Sequence, residues 1–315
     1  MACNRMRQRS LAILCQILVL SVIDYGFGLL ALSTSELRRF ERIQNEGLAV
    51  SDLCSLLLML WCSLNYNPLI DNFGLPVVHF KFISMTGGWP RTCFVRITGC
   101  ITAFIAFERC LCIALPLKTK RILTPRRTKI TIVSIFILMI CVFSPFYYSN
   151  RLSWLQDPAT NTSVLSITVA EERDIVDSVV FMIQGVIINT FTFITVICCT
   201  IVLVTKLNSK TKWRQATASK GVGGKEEFGV KEKKVVKTVI FISTIFIVCF
   251  MPGAVTFLAM SLEPEFQAGG KFENLCIAAG SLVFTMESIN SSVNIFVYLN
   301  MSSKYREMFM KLFRR

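Results

Sequence analysis

The sequence predicts an all-α membrane protein: a seven-transmembrane helix bundle closed by a short amphipathic C-terminal helix. Three observations carry that expectation. The 315-residue chain is 53% hydrophobic and only 17% charged, far from the usage of a soluble domain. Seven apolar runs reach the roughly 20 residues that a helix needs to cross about 30 Å of hydrocarbon. The basic residues of the intervening polar segments also alternate: 24 of the 34 lysines and arginines lie in every second segment and 7 in the others.

The first run, Leu11–Leu32, is interrupted by Asp24, Gly26 and Gly28 and preceded by Arg5, Arg7 and Arg9. It is long for a signal-peptide core and no small-x-small site closes it, so it reads as a retained helix. The next runs are Gly47–Leu64, Cys93–Leu115, Ile130–Tyr148, Val176–Leu207, Val235–Met260 and Asn274–Leu299. The stretch "GGWP" before Cys93 blurs the start of the third, which extends back to about Ser84 on a second reading. After the seventh, Tyr305, Met308, Phe309, Leu312 and Phe313 recur at helical spacing opposite Lys304, Arg306 and Lys311. That pattern predicts an interfacial helix over about residues 302–313. The whole chain, 1–315, reads as one domain. Its long connections are Asn65–Thr92, Ser149–Ile175 and Asn208–Lys234. The last, Lys-rich with Gly221, Gly223, Gly224 and Gly229, has the composition of a flexible linker.

The charge asymmetry sets the expected topology. Basic loops face the cytoplasm, so the N-terminus is outside, the C-terminus is inside, and the chain is a multi-pass plasma-membrane protein. The net charge of +14 then marks orientation and a surface for anionic lipid or an acidic partner, not nucleic acid. Most of the 13 cysteines sit within apolar runs, where thiols behave as small hydrophobes. A single histidine, His79, and no C-x-x-C pair leave little for a structural metal site. No Gly-rich phosphate loop and no G-x-S-x-G is present. The chain is therefore not expected to be an enzyme or to carry a cofactor, a possible allosteric Na⁺ aside.

Ionisable groups inside apolar runs cost roughly 2.5–3.5 kcal/mol each and mark function by default. Here they are Asp52 in the second run, Arg91 and Arg96 near the outer end of the third, Glu108 and Arg109 near its inner end, and Glu287 in the seventh. Asn290, Ser291 and Asn294 follow Glu287. An adjacent Glu–Arg pair at an inner interface is either a helix-end ion pair whose arginine snorkels or a two-state element.

These placed residues resemble the rhodopsin-like (class A) G-protein-coupled receptors. "LAVSD" is similar to the family's L-A-x-x-D and supplies Asp52; "FERC" is similar to the Glu/Asp-Arg-Tyr triplet and supplies Glu108, Arg109 and Cys110. Pro116–Leu117 matches the second inner loop; "CFMP" resembles Cys-Trp-x-Pro and supplies Phe250 and Pro252; "NIFVY" resembles Asn-Pro-x-x-Tyr and supplies Asn294 and Tyr298. The stretch from Ile101 to Thr128 is similar, more narrowly, to mollusc and other lophotrochozoan orphan receptors of chemosensory or neuropeptide-receptor-like kind.

The resemblance implies a receptor that transduces an extracellular small-molecule or peptide ligand, a chemosensory cue or neuropeptide, to a heterotrimeric G protein, with kinase and arrestin as further partners. It implies that Arg109 pairs with Glu108 at rest and turns toward the G-protein cavity on activation, with Asn294, Tyr298, Phe250 and Pro252 in the same switch. It matches Asp52, Thr98, Asn290, Ser291 and Asn294 to a sodium-and-water cavity with Asp52 as the metal ligand; a network closed by water alone is the alternative. Pro252 removes one backbone hydrogen bond and bends its helix.

The departures from the family pattern matter as well. Ser149–Ile175 holds no cysteine, and the residue 25 before Arg109 is Ser84, so the family's outer disulfide is expected to be absent. Cys3, Cys62 and Cys276 are what a substitute bridge would draw on. The helix-one Asn, the fourth-helix Trp and the fifth-helix Pro are missing, and helix five is expected to be straighter for it. Ile295 stands where helix seven usually has proline, and no lysine there allows a retinal Schiff base. Amine receptors carry an acid 18 residues before the arginine; here that residue is Arg91. Arg91 and Arg96 suit an anionic group, or Arg91 snorkels at the interface. Glu287 pairs with one of them or lines the pocket, as Phe250 does. Asn161-Thr162-Ser163 is a glycosylation sequon on an outer loop, and Ser209, Thr211, Thr217 and Ser219 are candidate kinase sites. A secondary transporter and a receptor relic that no longer signals are the competing readings; the absence of internal repeats weighs against the first.

Overall fold

The computed structural model describes residues 39–65, 82–114, 124–156, 163–169, 173–218, 226–267 and 270–301. The first apolar run, His79, Asn161 and the surface helix over 302–313 lie outside these residues.

Long apolar sequences bury no polar backbone only as helices or closed barrels, and helices are what form. The second run is α1 (Arg39–Asn65). The third is α2 (Trp89–Ala114), preceded without a break by a π-helical turn, Ser84–Gly88, which matches the earlier of its two expected starts. The fourth is α3 (Pro125–Ser149). Thr124 caps it by accepting a hydrogen bond from the Arg127 amide at 3.4 Å, and Pro125 occupies the first turn, where a missing N–H costs nothing. The fifth is α4 (Arg173–Phe181), a π-helical segment Met182–Ile188, and α5 (Asn189–Ala218). The sixth is α6 (Glu226–Leu262), with Pro252 inside it, and the seventh is α7 (Glu273–Met301). By length and composition, four helices among the described residues qualify as membrane spans.

The helices form a ring. α1 packs on α2 and α3, α2 on α5, α5 on α6, α6 on α7, and α7 returns to α1. One apolar core joins α1, α2 and α3 through Leu48, Ile97, Ile101, Ile132 and Phe143; a second joins α2, α5 and α6 through Val95, Val196, Phe246 and Phe250. Outward positions such as Ile130, Ile137, Leu138, Phe191 and Val255 are exposed and apolar, as a lipid-facing surface requires. Close approach of α1 to its neighbours depends on two glycines. A Cβ at Gly47 would lie 2.8 Å from Ile132 Cγ2, and one at Gly87 would lie 2.4 Å from Cys62 Sγ.

Two expectations need correction, and one long connection carries strands. The fifth helix is not regularised by the loss of its proline, because the seven-residue π segment interrupts it. Each π turn inserts a residue into the i→i−4 ladder and redirects the helix as a proline would. The linker expected over Asn208–Lys234 is largely helical, since α5 runs to Ala218 and α6 begins at Glu226. Its lysines and glutamates favour helix on both sides of residues 221–224, and Gly229 is carried inside α6. The connection after α3 forms a β-hairpin, with β1 (Asn150–Gln156) antiparallel to β2 (Ser163–Val169) in the register Asn150↔Val169 to Gln156↔Ser163. Asn150 Nδ2 donates to Asp177 Oδ1 at 3.0 Å and ties the hairpin's base to α4.

Candidate functional site

Three polar clusters lie within the ring of helices. In the first, α2 presents Arg91 and Arg96, each 2% exposed, toward Glu287 of α7, 3% exposed. Arg91 Nη1 donates to Glu287 Oε2 at 3.1 Å, and Arg91 Nη2 to the Phe284 carbonyl at 3.1 Å and to Ser288 Oγ at 3.4 Å. Arg96 Nη2 donates to Glu287 Oε1 at 3.4 Å, and Arg96 Nη1 to Asn189 Oδ1 at 2.5 Å. The two arginines are five positions apart, about 140° around an ideal helix, and their long side chains reach Glu287 from either side. The Phe284 ring lies 4.7 Å from the Arg91 guanidinium and the Phe257 ring 5.0 Å from that of Arg96, where aromatic faces offset part of the lost hydration. Glu287 therefore pairs with both arginines. Arg91 is drawn inward and does not snorkel. Asn189, which the sequence reading did not single out, completes the group from the first turn of α5.

The second cluster is centred on Asp52, which has no exposed surface. Thr98 Oγ1 donates to its Oδ1 at 2.9 Å and Ser291 Oγ to the same atom at 3.0 Å. Ser51 Oγ lies 2.9 Å from Thr98 Oγ1, and Ser55 Oγ 3.4 Å from Ser291 Oγ. Three of the expected cavity residues thus meet. Asn290 is buried beside them; Asn294 and Tyr298 lie near the end of α7, their side chains outside the described ones. Ser51 and Ser55 were missed, although Ser55, three after Asp52, falls on its face of the helix; Ser51, one before, is turned about 100° away and joins the group through Thr98. Between the first two clusters, on the α6 side, Phe250 stacks on Phe246 at 4.1 Å between ring centroids and 18° between planes.

The third cluster is near the C-terminal end of α2. Glu108 is fully buried. Gln44 Nε2 of α1 donates a short hydrogen bond to Glu108 Oε2, and Thr128 Oγ1 of α3 donates to Oε1 at 3.1 Å. Two neighbouring helices therefore grip the acid that precedes Arg109. Gln44 and Thr128 escaped the sequence reading because each lies just outside an apolar run, in segments read as loop. The motif they complete is spread over 64 and 20 residues of separation.

A ring of six described helical runs with an acid-arginine step at one end and a central buried aspartate matches a known pattern across almost its whole length. The family described as "7 transmembrane receptor (rhodopsin family)" matches residues 29–298. The chain belongs to the rhodopsin family of seven-transmembrane receptors. It is thus a G-protein-coupled receptor and a multi-pass plasma-membrane protein that binds a ligand and couples to a G protein. Among curated proteins this receptor is similar to growth hormone secretagogue receptor type 1. The form from Rattus norvegicus is 26% identical over 288 residues, 88% of this chain and 72% of that protein. The Mustela putorius furo form is 25% identical over the same shares. The Homo sapiens form is 25% identical over 86% of this chain and 71% of its own.

Proposed function

We propose that this receptor reads an extracellular ligand near Arg91, Arg96, Glu287 and Phe250 and reports it at Arg109. The observation that carries the reading is the grip on Glu108. An acid with both oxygens engaged by α1 and α3 holds the inner end of α2 in one packing. Separating those helices frees Glu108 and changes the surroundings of Arg109, so the inner surface has two arrangements in which its charges are satisfied. The stacked Phe246 and Phe250, two residues before Pro252, lie where α2, α5 and α6 meet. They can pass a shift beneath the ligand into the bend of α6.

The N-terminus is outside and the C-terminus cytoplasmic, on the basic bias of the inner segments. The receptor catalyses no reaction of its own; its ligand is a chemosensory cue or a neuropeptide. The curated relatives are named as receptors for a growth hormone secretagogue, which supports a chemical messenger as the ligand class. Kinase and arrestin follow on the inner face, with Ser209 as one accessible hydroxyl, and Asn161 carries a glycan. Asp52, Thr98 and Ser291 offer hard oxygen donors around one carboxylate, and Ser51 and Ser55 a second set of hydroxyls behind them. That donor set suits Na⁺, which would supply the charge that balances Asp52. Bound more tightly in the resting packing, Na⁺ lowers basal signalling.

The test is G-protein activation in cells, basal and with pooled peptides and small acids, for the wild-type receptor and Arg109→Ala at matched surface level. Activation that disappears in the variant supports the reading. Activation that survives it removes Arg109 from the mechanism.

A further inference from the structure

Two buried guanidiniums converge on one carboxylate, and the three side chains together carry one positive charge more than negative. All three are 2–3% exposed. Excess charge at this depth in a membrane protein is expensive, and an opposite charge held nearby is the usual remedy. The donors are also not used up. Arg91 Nε, Arg96 Nε and Asn189 Nδ2 are buried and find no hydrogen-bond partner among the described residues. Unused buried donors cost free energy until an acceptor reaches them. Among the described residues the cluster therefore lacks one negative charge and several acceptor atoms, and an anion supplies both.

We propose that Arg91, Arg96 and Asn189 form a recognition site for a single carboxylate on the receptor's ligand, with Glu287 as the resident counter-ion that the ligand loosens. The proposal rests on the receptor reading above and names its ligand class. The chemistry selects a carboxylate in three ways. Glu287 already shows that a planar carboxylate fits between the two guanidiniums, one oxygen to each. A monoanion brings the cluster to neutrality, whereas a dianionic phosphate overshoots it. The Phe257 and Phe284 rings beside the guanidiniums suit an acid with an apolar body. Because Glu287 and the ligand draw on the same guanidiniums, binding weakens the link from α2 to α7. Occupancy at this site is thereby converted into freedom between those two helices.

The test uses the full-length receptor in nanodiscs and reads thermal unfolding, which requires no G protein. The probes are benzoate and hexanoate, each beside its uncharged amide, and one set of short apolar peptides made as free acids and as C-terminal amides, all in chloride-free buffer. The expected result is an upward shift in unfolding temperature with carboxylates and none with amides. A shift from the small acids assigns a metabolite-like ligand, and a shift from the free-acid peptides alone assigns a peptide C-terminus; either supports the site. In Glu287→Gln, carboxylate affinity rises about tenfold, because the internal competitor is gone. In Arg96→Gln it falls about tenfold or more, as removal of a charged hydrogen-bonding partner does. The acid-against-amide comparison on the wild-type receptor stands even where a variant fails to fold. Equal shifts with acid and amide would overturn the proposal, as would chloride alone reproducing the shift, or no carboxylate shifting the wild-type receptor. Carboxylate binding without G-protein activation by any ligand would instead contradict the receptor reading and leave the site standing.

Discussion

Replacing Glu287 by Gln keeps the side chain's size and removes the negative charge that bridges Arg91 and Arg96. Two guanidiniums, both 2% exposed, then face each other with no paired acid among the described residues. Breaking a buried ion pair by removing one partner costs about 3–5 kcal/mol, and here one substitution breaks two, at 3.1 and 3.4 Å. Arg91→Gln is the informative comparison. It loses the bonds to Glu287, Phe284 and Ser288, yet leaves Glu287 and Arg96 as a matched pair. The loss there is about 1.5–3 kcal/mol, that of a charged hydrogen-bond partner. The charge count therefore orders the two substitutions, with Glu287→Gln the more damaging. The assay is thermal unfolding of the purified receptor in nanodiscs, beside surface level in cells. An Arg91→Gln receptor as unstable as Glu287→Gln, or less stable, would refute the reasoning, because packing and not charge balance would then set the cost.

Other consequences follow from single contacts. Asp52→Asn removes the charge on which the Thr98 and Ser291 hydroxyls converge, so raising Na⁺ at constant ionic strength is expected to lower basal G-protein activation in the wild-type receptor and not in the variant; equal Na⁺ responses would remove the cation from this cluster. Gly87→Ala forces a Cβ to within 2.4 Å of Cys62 Sγ and 2.9 Å of Trp61 Cδ1, an overpacking worth about 1–3 kcal/mol. Surface level should fall, while Gly280→Ala, with nothing within 4 Å, leaves it unchanged or slightly raised.

The fold was legible in the sequence because the hydrocarbon core imposes a length and a polarity on every span. The boundaries were less so. Helices outlast their apolar runs at the inner ends, where Gln44 and Thr128 sit in polar turns that hydropathy discounts. The hairpin after α3 was available in "RLSWL" and "SVLSITV", short segments rich in β-branched and apolar residues around Asp157–Pro158, which are strand and turn signals. The π segments left no such mark; each holds a glycine, Gly87 or Gly185, where a Cβ would crowd Cys62 or Phe257. The site divided in the same way. Each buried charge was visible as an interruption of apolar sequence, but its partners were not, because Asp52 with Ser291 and Arg91 with Glu287 lie 239 and 196 residues apart. Gln44, Ser51, Ser55, Thr128 and Asn189 are neutral, cost little to place in or beside a helix, and become visible only through the acid or arginine they hold.

The central claim is that the grip of α1 and α3 on Glu108 restrains Arg109. The direct measurement is basal nucleotide exchange on a G protein by the wild-type receptor, Thr128→Val, Arg109→Ala and the Thr128→Val/Arg109→Ala double variant, at equal receptor concentration. Loss of the 3.1 Å Thr128 bond weakens the resting packing by about 1–3 kcal/mol, enough to raise the active population at least several-fold. The account predicts faster exchange by Thr128→Val and no such gain in the double variant. Unchanged exchange by Thr128→Val, or a gain that persists without Arg109, would contradict it.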